Sequence, residues 1–176
     1  MPNLANTTIQ TERLKLIPVV PKYAPSIFQE FTPVLTTYMF PKAPTTIDDT
    51  MQFITTSEAQ LKSGEAFNVT ILHRVTGEFL GGGGISSLNT NAPELGIWIK
   101  LAAHGHKYGR EAVHGLKDWA REHLTYDYLI YPVDRRNTAS RKIAESLGGI
   151  VKKDYPRQTQ SGSKLDIVEY HIATHR

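Results

Sequence analysis

The alternation in Glu94-Leu-Gly-Ile-Trp-Ile-Lys-Leu101 constrains the fold more than any other feature of the chain. Leu95, Ile97, Ile99 and Leu101 fall on one face and Glu94, Gly96, Trp98 and Lys100 on the other, the pattern of a half-buried strand. Beyond it, Ala112, Val113, Leu116, Trp119, Ala120 and Leu124 recur at helical spacing, while Arg110, Lys117, Asp118, Arg121 and Glu122 fill the opposite face. A long helix is therefore expected from near Gly109. The run "YDYLIYPV" that follows is apolar on both faces, as in the interior of a sheet. Together these segments make a strand–helix–strand crossover from about Glu94 to Val133.

The flanking segments fit around that unit. Arg13 to Val20 begins with strand alternation, and Pro18 marks an edge or an end. Pro21, Pro25, Pro33, Pro41 and Pro44 then punctuate an interval rich in aromatics (Tyr23, Phe28, Phe31, Tyr38, Phe40) that has room only for short helices. A helix is expected from Asp48 as N-cap, with Met51, Ile54 and Leu61 on one face and Gly64 at its end. Phe67, Val69 and Ile71 alternate with Asn68 and Thr70, "HRVTGE" turns the chain, and "FLGGGGISSL" returns as a glycine-rich strand, so an antiparallel hairpin is expected. Asn137 to Leu147 reads as a second helix capped by Asn137 and ended by Gly148. The tail, "IVKKDYPR" and "KLDIVEYHIATH" joined by "QTQSGS", reads as a last hairpin. The order predicts a mixed α/β fold: a largely antiparallel central sheet of about seven strands flanked by helices, in one domain spanning residues 1–176.

Composition narrows the chemistry. With 176 residues the chain can bury a core unaided, and with no cysteine it has neither disulfides nor a thiol nucleophile. The N-terminus lacks signal-peptide character, and no run approaches the length of a membrane helix, so a cytoplasmic protein is expected. The formal charge of +3 comes from lysines and arginines spread along the chain, which does not point to nucleic acid. A ligand carrying phosphates fits the same charge.

The junction between the alternating strand and the long helix, "HGHKYGREA" from His104 to Ala112, admits several readings. His104 and His106 lie two residues apart, near His114, His123 and Glu111, yet no tight metal-ligand spacing appears and no metal is expected. An imidazole suits proton transfer near neutral pH, and it is equally at home in a solvated basic turn. A glycine-containing turn that opens a helix leaves unpaired N–H groups at the positive end of the helix dipole, which favours an anion, with Lys107 and Arg110 adding charge. The other glycine run, Gly81 to Gly84, lacks a Gly-Lys-Ser/Thr ending and reads as a strand bared for close backbone approach.

Taken together, "PELGIWI", "HGHKYGREAVHGLKDWA" and "NTASRKIAESLGG", preceded by "TERLKLIPV", resemble the GNAT superfamily of N-acetyltransferases, and most closely the branch of ribosomal-protein N-terminal acetyltransferases. The resemblance implies an acyl-CoA N-acyltransferase fold. It also implies acetyl-CoA as donor co-substrate, with its pyrophosphate on the loop His104, Gly105, His106, Lys107, Tyr108, Gly109 and Arg110. The family's loop pattern is Gln/Arg-x-x-Gly-x-Gly/Ala, so His104 and Lys107 depart from it; a positive φ at Lys107 would strain the loop. The pantetheine arm would bond to backbone groups of Ile97, Trp98 and Ile99. Asn137 and Ser140 would lie near the thioester, and Arg141 near the phosphates. The tyrosine that many members carry four residues before the helix-ending glycine is Ala144 here.

By the same resemblance, acetyl would pass directly to a primary amine, which must lose a proton before it attacks the thioester. Glu94 is the expected general base, through a water, and Ser140 the group that protonates the leaving thiolate, with His104, His106 and Asp154 in reserve. The acceptor is expected to be a protein N-terminus or a small-molecule amine such as a polyamine or aminoglycoside. A catalytically silent acyl-CoA-binding module is the alternative. A monomer or homodimer is expected.

Overall fold

The computed structural model describes residues 4–174. After a 3-10 turn at Leu4–Asn6, strands β1 (Ile9–Gln10) and β2 (Leu14–Pro18) lead through a 3-10 turn at Pro21–Tyr23 into helix α1 (Ala24–Glu30). A further 3-10 turn at Leu35–Tyr38 precedes helix α2 (Ile47–Ser63) and strands β3 (Ala66–His73), β4 (Phe79–Ser86) and β5 (Glu94–Ile99). Helix α3 (Tyr108–His123), strand β6 (Tyr128–Asp134), helix α4 (Thr138–Ser146) and the hairpin β7 (Ile150–Gln158) and β8 (Lys164–Ala173) complete the fold. His175, included in the sequence reading of the last hairpin, lies outside the described residues.

Among the described residues the strands form one eight-stranded sheet, in the order β1-β2-β3-β4-β5-β6-β8-β7. It is antiparallel except between β5 and β6, as the crossover requires. The strand missed in the sequence is β1: two residues are too few for a period of two to register. Two further expectations are corrected. Thr46, not Asp48, caps α2: its side chain accepts from Asp49 N–H while the Asp49 carboxylate accepts from Thr46 N–H, a reciprocal capping box. Leu101 leaves the apolar face of β5, because the strand ends at Ile99 and a 3-10 turn leaves Leu101 45% exposed.

Helices α3 and α4 pack on one face of the sheet and α1 and α2 on the other. The larger core joins Val113, Leu116 and Trp119 of α3 to Phe67, Ile85, Leu95 and Leu129. A smaller cluster joins Ile27 of α1 and Ile54 of α2 to Phe31, Phe79 and Trp98. The glycines of β4 serve close approach: a Cβ on Gly81 would lie 2.2 Å from the Trp98 carbonyl oxygen, and one on Gly82 2.8 Å from the Trp98 indole nitrogen.

The sheet is not continuous at its parallel joint. Strand β5 pairs with β4 along all six of its residues, but with β6 only through Glu94 and Ile130. The Ile130 N–H donates to the Pro93 carbonyl at 2.8 Å, and beyond that start the two strands diverge. The result is a wedge open toward Ile99, with unpaired backbone on its β5 side.

Candidate active site

The loop from Lys100 to Lys107 runs from the open end of the wedge at Ile99 into α3. His104 and His106, the residues that suggested acid/base chemistry, shape this loop. The His104 Nε2–H donates to the Ile99 carbonyl at 2.7 Å and the His106 Nδ1–H to the His104 carbonyl at 3.0 Å; a carbonyl only accepts, so both tautomers are set. The His106 ring stacks on Tyr108 at 5.5 Å, and the Arg13 guanidinium lies 4.7 Å from the same tyrosine ring. Glu111, in the first turn of α3, is anchored to the turn between β1 and β2: its carboxylate accepts from Thr11 Oγ1, Arg13 N and Arg13 Nε at 2.5 to 2.7 Å. Burial works to raise its pKa, but those bonds outweigh it and hold Glu111 below the usual carboxylate range.

The first backbone hydrogen bond of α3 runs from Glu111 N–H to the Lys107 carbonyl, and no side chain caps the helix. Among the described residues, the N–H groups from Gly105 to Arg110 have no acceptor, so they form a patch of aligned donors at the positive helix end. Lys107 and Arg110 stand beside it without an ion pair among the described residues. Gly109 lets α3 sit this close to the wedge: a Cβ there would be 3.3 Å from Ile143 and 3.4 Å from Ile99.

Lys107 adopts φ 63° and ψ 19°, the left-handed conformation that the sequence reading identified as the source of strain. A non-glycine residue there costs about 1–2 kcal/mol. Lys107→Gly should therefore raise the stability of the ligand-free protein by about 1 kcal/mol, read by urea unfolding, if the loop keeps its shape.

On the far side of the wedge, Asn137 caps α4 by accepting from Ser140 N–H at 3.2 Å. That cap fixes the first turn so that Ser140 Oγ lies 2.8 Å from Tyr131 Oη. Tyr131 comes from β6 and is 2% exposed; burial pushes its hydroxyl up to about 12, against a smaller lowering by the Ser140 bond, so it stays neutral. The sequence offered no signal for this partner beyond an apolar run. Arg141 donates to Tyr170 Oη at 3.0 Å and to the Arg135 carbonyl at 3.4 Å, which pins it to the α4 surface. Ala144 is fully buried, so a tyrosine has no room at its position.

Glu94 lies on the opposite face of the sheet. It lines a cavity of about 730 Å³ between the sheet and α1, α2 and the Met39–Pro44 segment. Burial holds its carboxyl above the usual range, with Arg157 pulling down and Glu169 pushing up, and among the described residues it has no hydrogen-bond partner. Glu169, which the sequence reading did not single out, is bound to Tyr155, His171 and Lys153 instead, and is held below the usual range. Asp154 is ion-paired to Arg135 at 3.3 Å on the edge strand β7 and does not line the cavity. Glu94 and Ser140 therefore flank the wedge from opposite faces, while His104, His106 and Asp154 are committed elsewhere.

Among the described residues no group of three or more His, Asp or Glu could hold a metal, and no helix is long and apolar enough to cross a membrane. The family model for the acetyltransferase (GNAT) domain matches residues 13–150. No curated protein matches the chain in sequence. In three dimensions the chain is similar to a candidate ribosomal-protein-serine acetyltransferase from Vibrio cholerae, with 21% identity, a TM-score of 0.81 and coverage of 97% of this chain and 99% of that one. It is similar to a GCN5-related N-acetyltransferase from Brucella melitensis, with 15% identity, a TM-score of 0.79 and coverage of 98% and 80%. RimL, a ribosomal L7/L12 alpha-N-protein acetyltransferase in complex with coenzyme A, matches with 15% identity, a TM-score of 0.82 and coverage of 95% and 98%.

Proposed function

The chain belongs to the GNAT acetyltransferases, and from that premise we propose that it carries acetyl from acetyl-CoA directly to a primary amine, as one domain and without an enzyme-bound intermediate. The observation that carries the reading is the β5–β6 wedge with free loop amides at its mouth. The donor's pyrophosphate sits on the N–H groups from Gly105 to Arg110, where Lys107 and Arg110 add charge, and Arg141 keeps unused N–H groups near α4. The pantetheine arm adds to β5 as a strand would, along Ile97, Trp98 and Ile99 on the side that faces the wedge, where the Ile99 carbonyl is held by His104.

The amine enters from the cavity face and loses its proton to Glu94 through a water. A carboxyl held above its usual range is a stronger base than an exposed one. The lone pair of the neutral amine nitrogen forms the C–N bond at the thioester carbonyl. The C–S bond then breaks, Ser140 Oγ–H protonates the departing thiolate, and the second proton that the nitrogen sheds as the amide forms returns to Ser140 Oγ, which Asn137 through the cap and the neutral Tyr131 hydroxyl hold in place. A protein N-terminal α-amine is the acceptor that the likeness to RimL, an alpha-N-protein acetyltransferase, supports, and a cytoplasmic monomer or homodimer suits that role.

The buried Ala144 favours one competitor, a silent acyl-CoA-binding module, because the usual acid is absent. Two measurements test both readings. Acetyl-CoA at 100 times its dissociation constant should stabilise the protein by about 2.7 kcal/mol in thermal unfolding, and no shift would exclude both. Release of free thiol with amines then distinguishes the enzyme, since a binding module releases none.

A further inference from the structure

We infer that the acceptor is a singly charged primary amine carried on an apolar body of aromatic size, which lies in the cavity beneath α1 and α2. The inference rests on the transfer reading above and names its substrate class. The walls that meet such a body are Phe31, Met39, Phe53 and Trp98. The Trp98 ring is held edge-on to Phe31 at 5.0 Å, and the bare Gly82 lets the indole lie flat against β4, so this wall is already formed. Phe53 is 46% exposed from its place on that wall, an aromatic surface that the fold leaves without cover.

Charge sets the other half of the class. Two carboxylates line the cavity, Glu94 and Asp49, and Asp49 is consumed in the α2 cap, where it accepts from Thr45 N–H and Thr46 N–H at 2.8 and 2.9 Å. Of the two, Glu94 is free to face an ammonium, and Lys42, which also lines the cavity, and Arg157, which acts on Glu94, oppose further positive charge. A polyamine or an aminoglycoside would bury additional cations against aromatic walls without partners, which is unfavourable. Gly96 lies between Glu94 and Trp98 on the same strand face and lines the cavity; a Cβ there would meet nothing within 4 Å. The amine therefore has an open path past Gly96 to the wedge, and a larger side chain at that position fills cavity space and not protein.

The test is calorimetric binding to the CoA-loaded protein, which does not depend on turnover. The probes are 2-phenylethylamine, a phenylalanine-initiated peptide, a serine-initiated peptide, spermidine and kanamycin. At least one of the two aromatic amines should bind about tenfold or more tightly than the serine peptide, spermidine and kanamycin. Whichever of the two does so identifies the source as a free amine or a protein N-terminus. Gly96→Leu should abolish that binding while the thermal shift by CoA is retained. Equal or tighter binding by spermidine, kanamycin or the serine peptide, absence of aromatic-amine binding, or undiminished binding by Gly96→Leu would overturn the inference. Tight aromatic-amine binding without thiol release would keep this class as the cavity's ligand but overturn the transfer reading and, with it, the acceptor role.

Discussion

Glu94→Gln lowers the rate of thiol release by about 10²–10⁴-fold near neutral pH, the range set by the loss of a positioned general base. An amine acceptor is almost wholly protonated at neutral pH, so a base must take its proton before attack. The deficit should shrink as pH approaches the amine's own pKa, because free amine then supplies itself. In the wild type, burial holds the Glu94 carboxyl above the usual range, so the rate should rise with pH through that elevated value. Stability moves the other way. An acid whose folded pKa is raised keeps its proton longer in the folded state, so the native state loses stability as pH rises from the unfolded value through the folded one. Glutamine carries no such penalty, and the variant should unfold no more easily than the wild type at pH 7. A full rate in Glu94→Gln across the pH range would remove Glu94 from the reaction.

Asp134→Ala should cost about 2 kcal/mol in urea unfolding, by leaving the backbone N–H groups of Arg136 and Asp166 without their acceptor, while the exposed Arg136 guanidinium returns to water. Asp134 ends β6 with no exposed surface. Its two carboxylate oxygens accept from Arg136 N, Nε and Nη2 and from Asp166 N at 2.8 to 3.0 Å. The Arg136 side chain is the largest of the causes that hold this carboxyl down to about 2, against an opposing push from burial. A depressed carboxylate pKa gives stability that is present above the unfolded value near 3.8 and is lost as pH falls toward 2. The variant should therefore show a flatter acid limb than the wild type. The carboxylate's bond to Arg136 N–H, one residue before the Asn137 cap, fixes the turn that leads into α4 and so holds its start in register with Tyr131. Thiol release should fall in Asp134→Ala even where the protein remains folded.

Local rules carried much of the fold. The period of β5 and α3, the Asn137 cap and the glycines that end α2 and α4 each depend on a few neighbouring residues, and each was readable in the sequence. The capping box of α2 was also local, but two aspartates and a threonine within four residues offered competing caps, and only the backbone decided for Thr46. Of the site, the sequence indicated the loop and the Asn137–Ser140 turn but no partner for Ser140, since Tyr131 meets it across a strand and a helix.

By itself, then, the sequence determined the order of elements, the crossover at Glu94 to Val133 and the glycine-bearing helix start, because periodicity and capping are properties of short segments. Tertiary structure alone decided that β5 and β6 separate after one pair, that Lys107 takes a positive φ, and that, among the described residues, the half-buried Glu94 has no hydrogen-bond partner while Glu169 has three. Those outcomes depend on groups distant in sequence that meet only when the sheet closes. Hydrogen-bond competition and desolvation are settled at that point, and no local spacing encodes them.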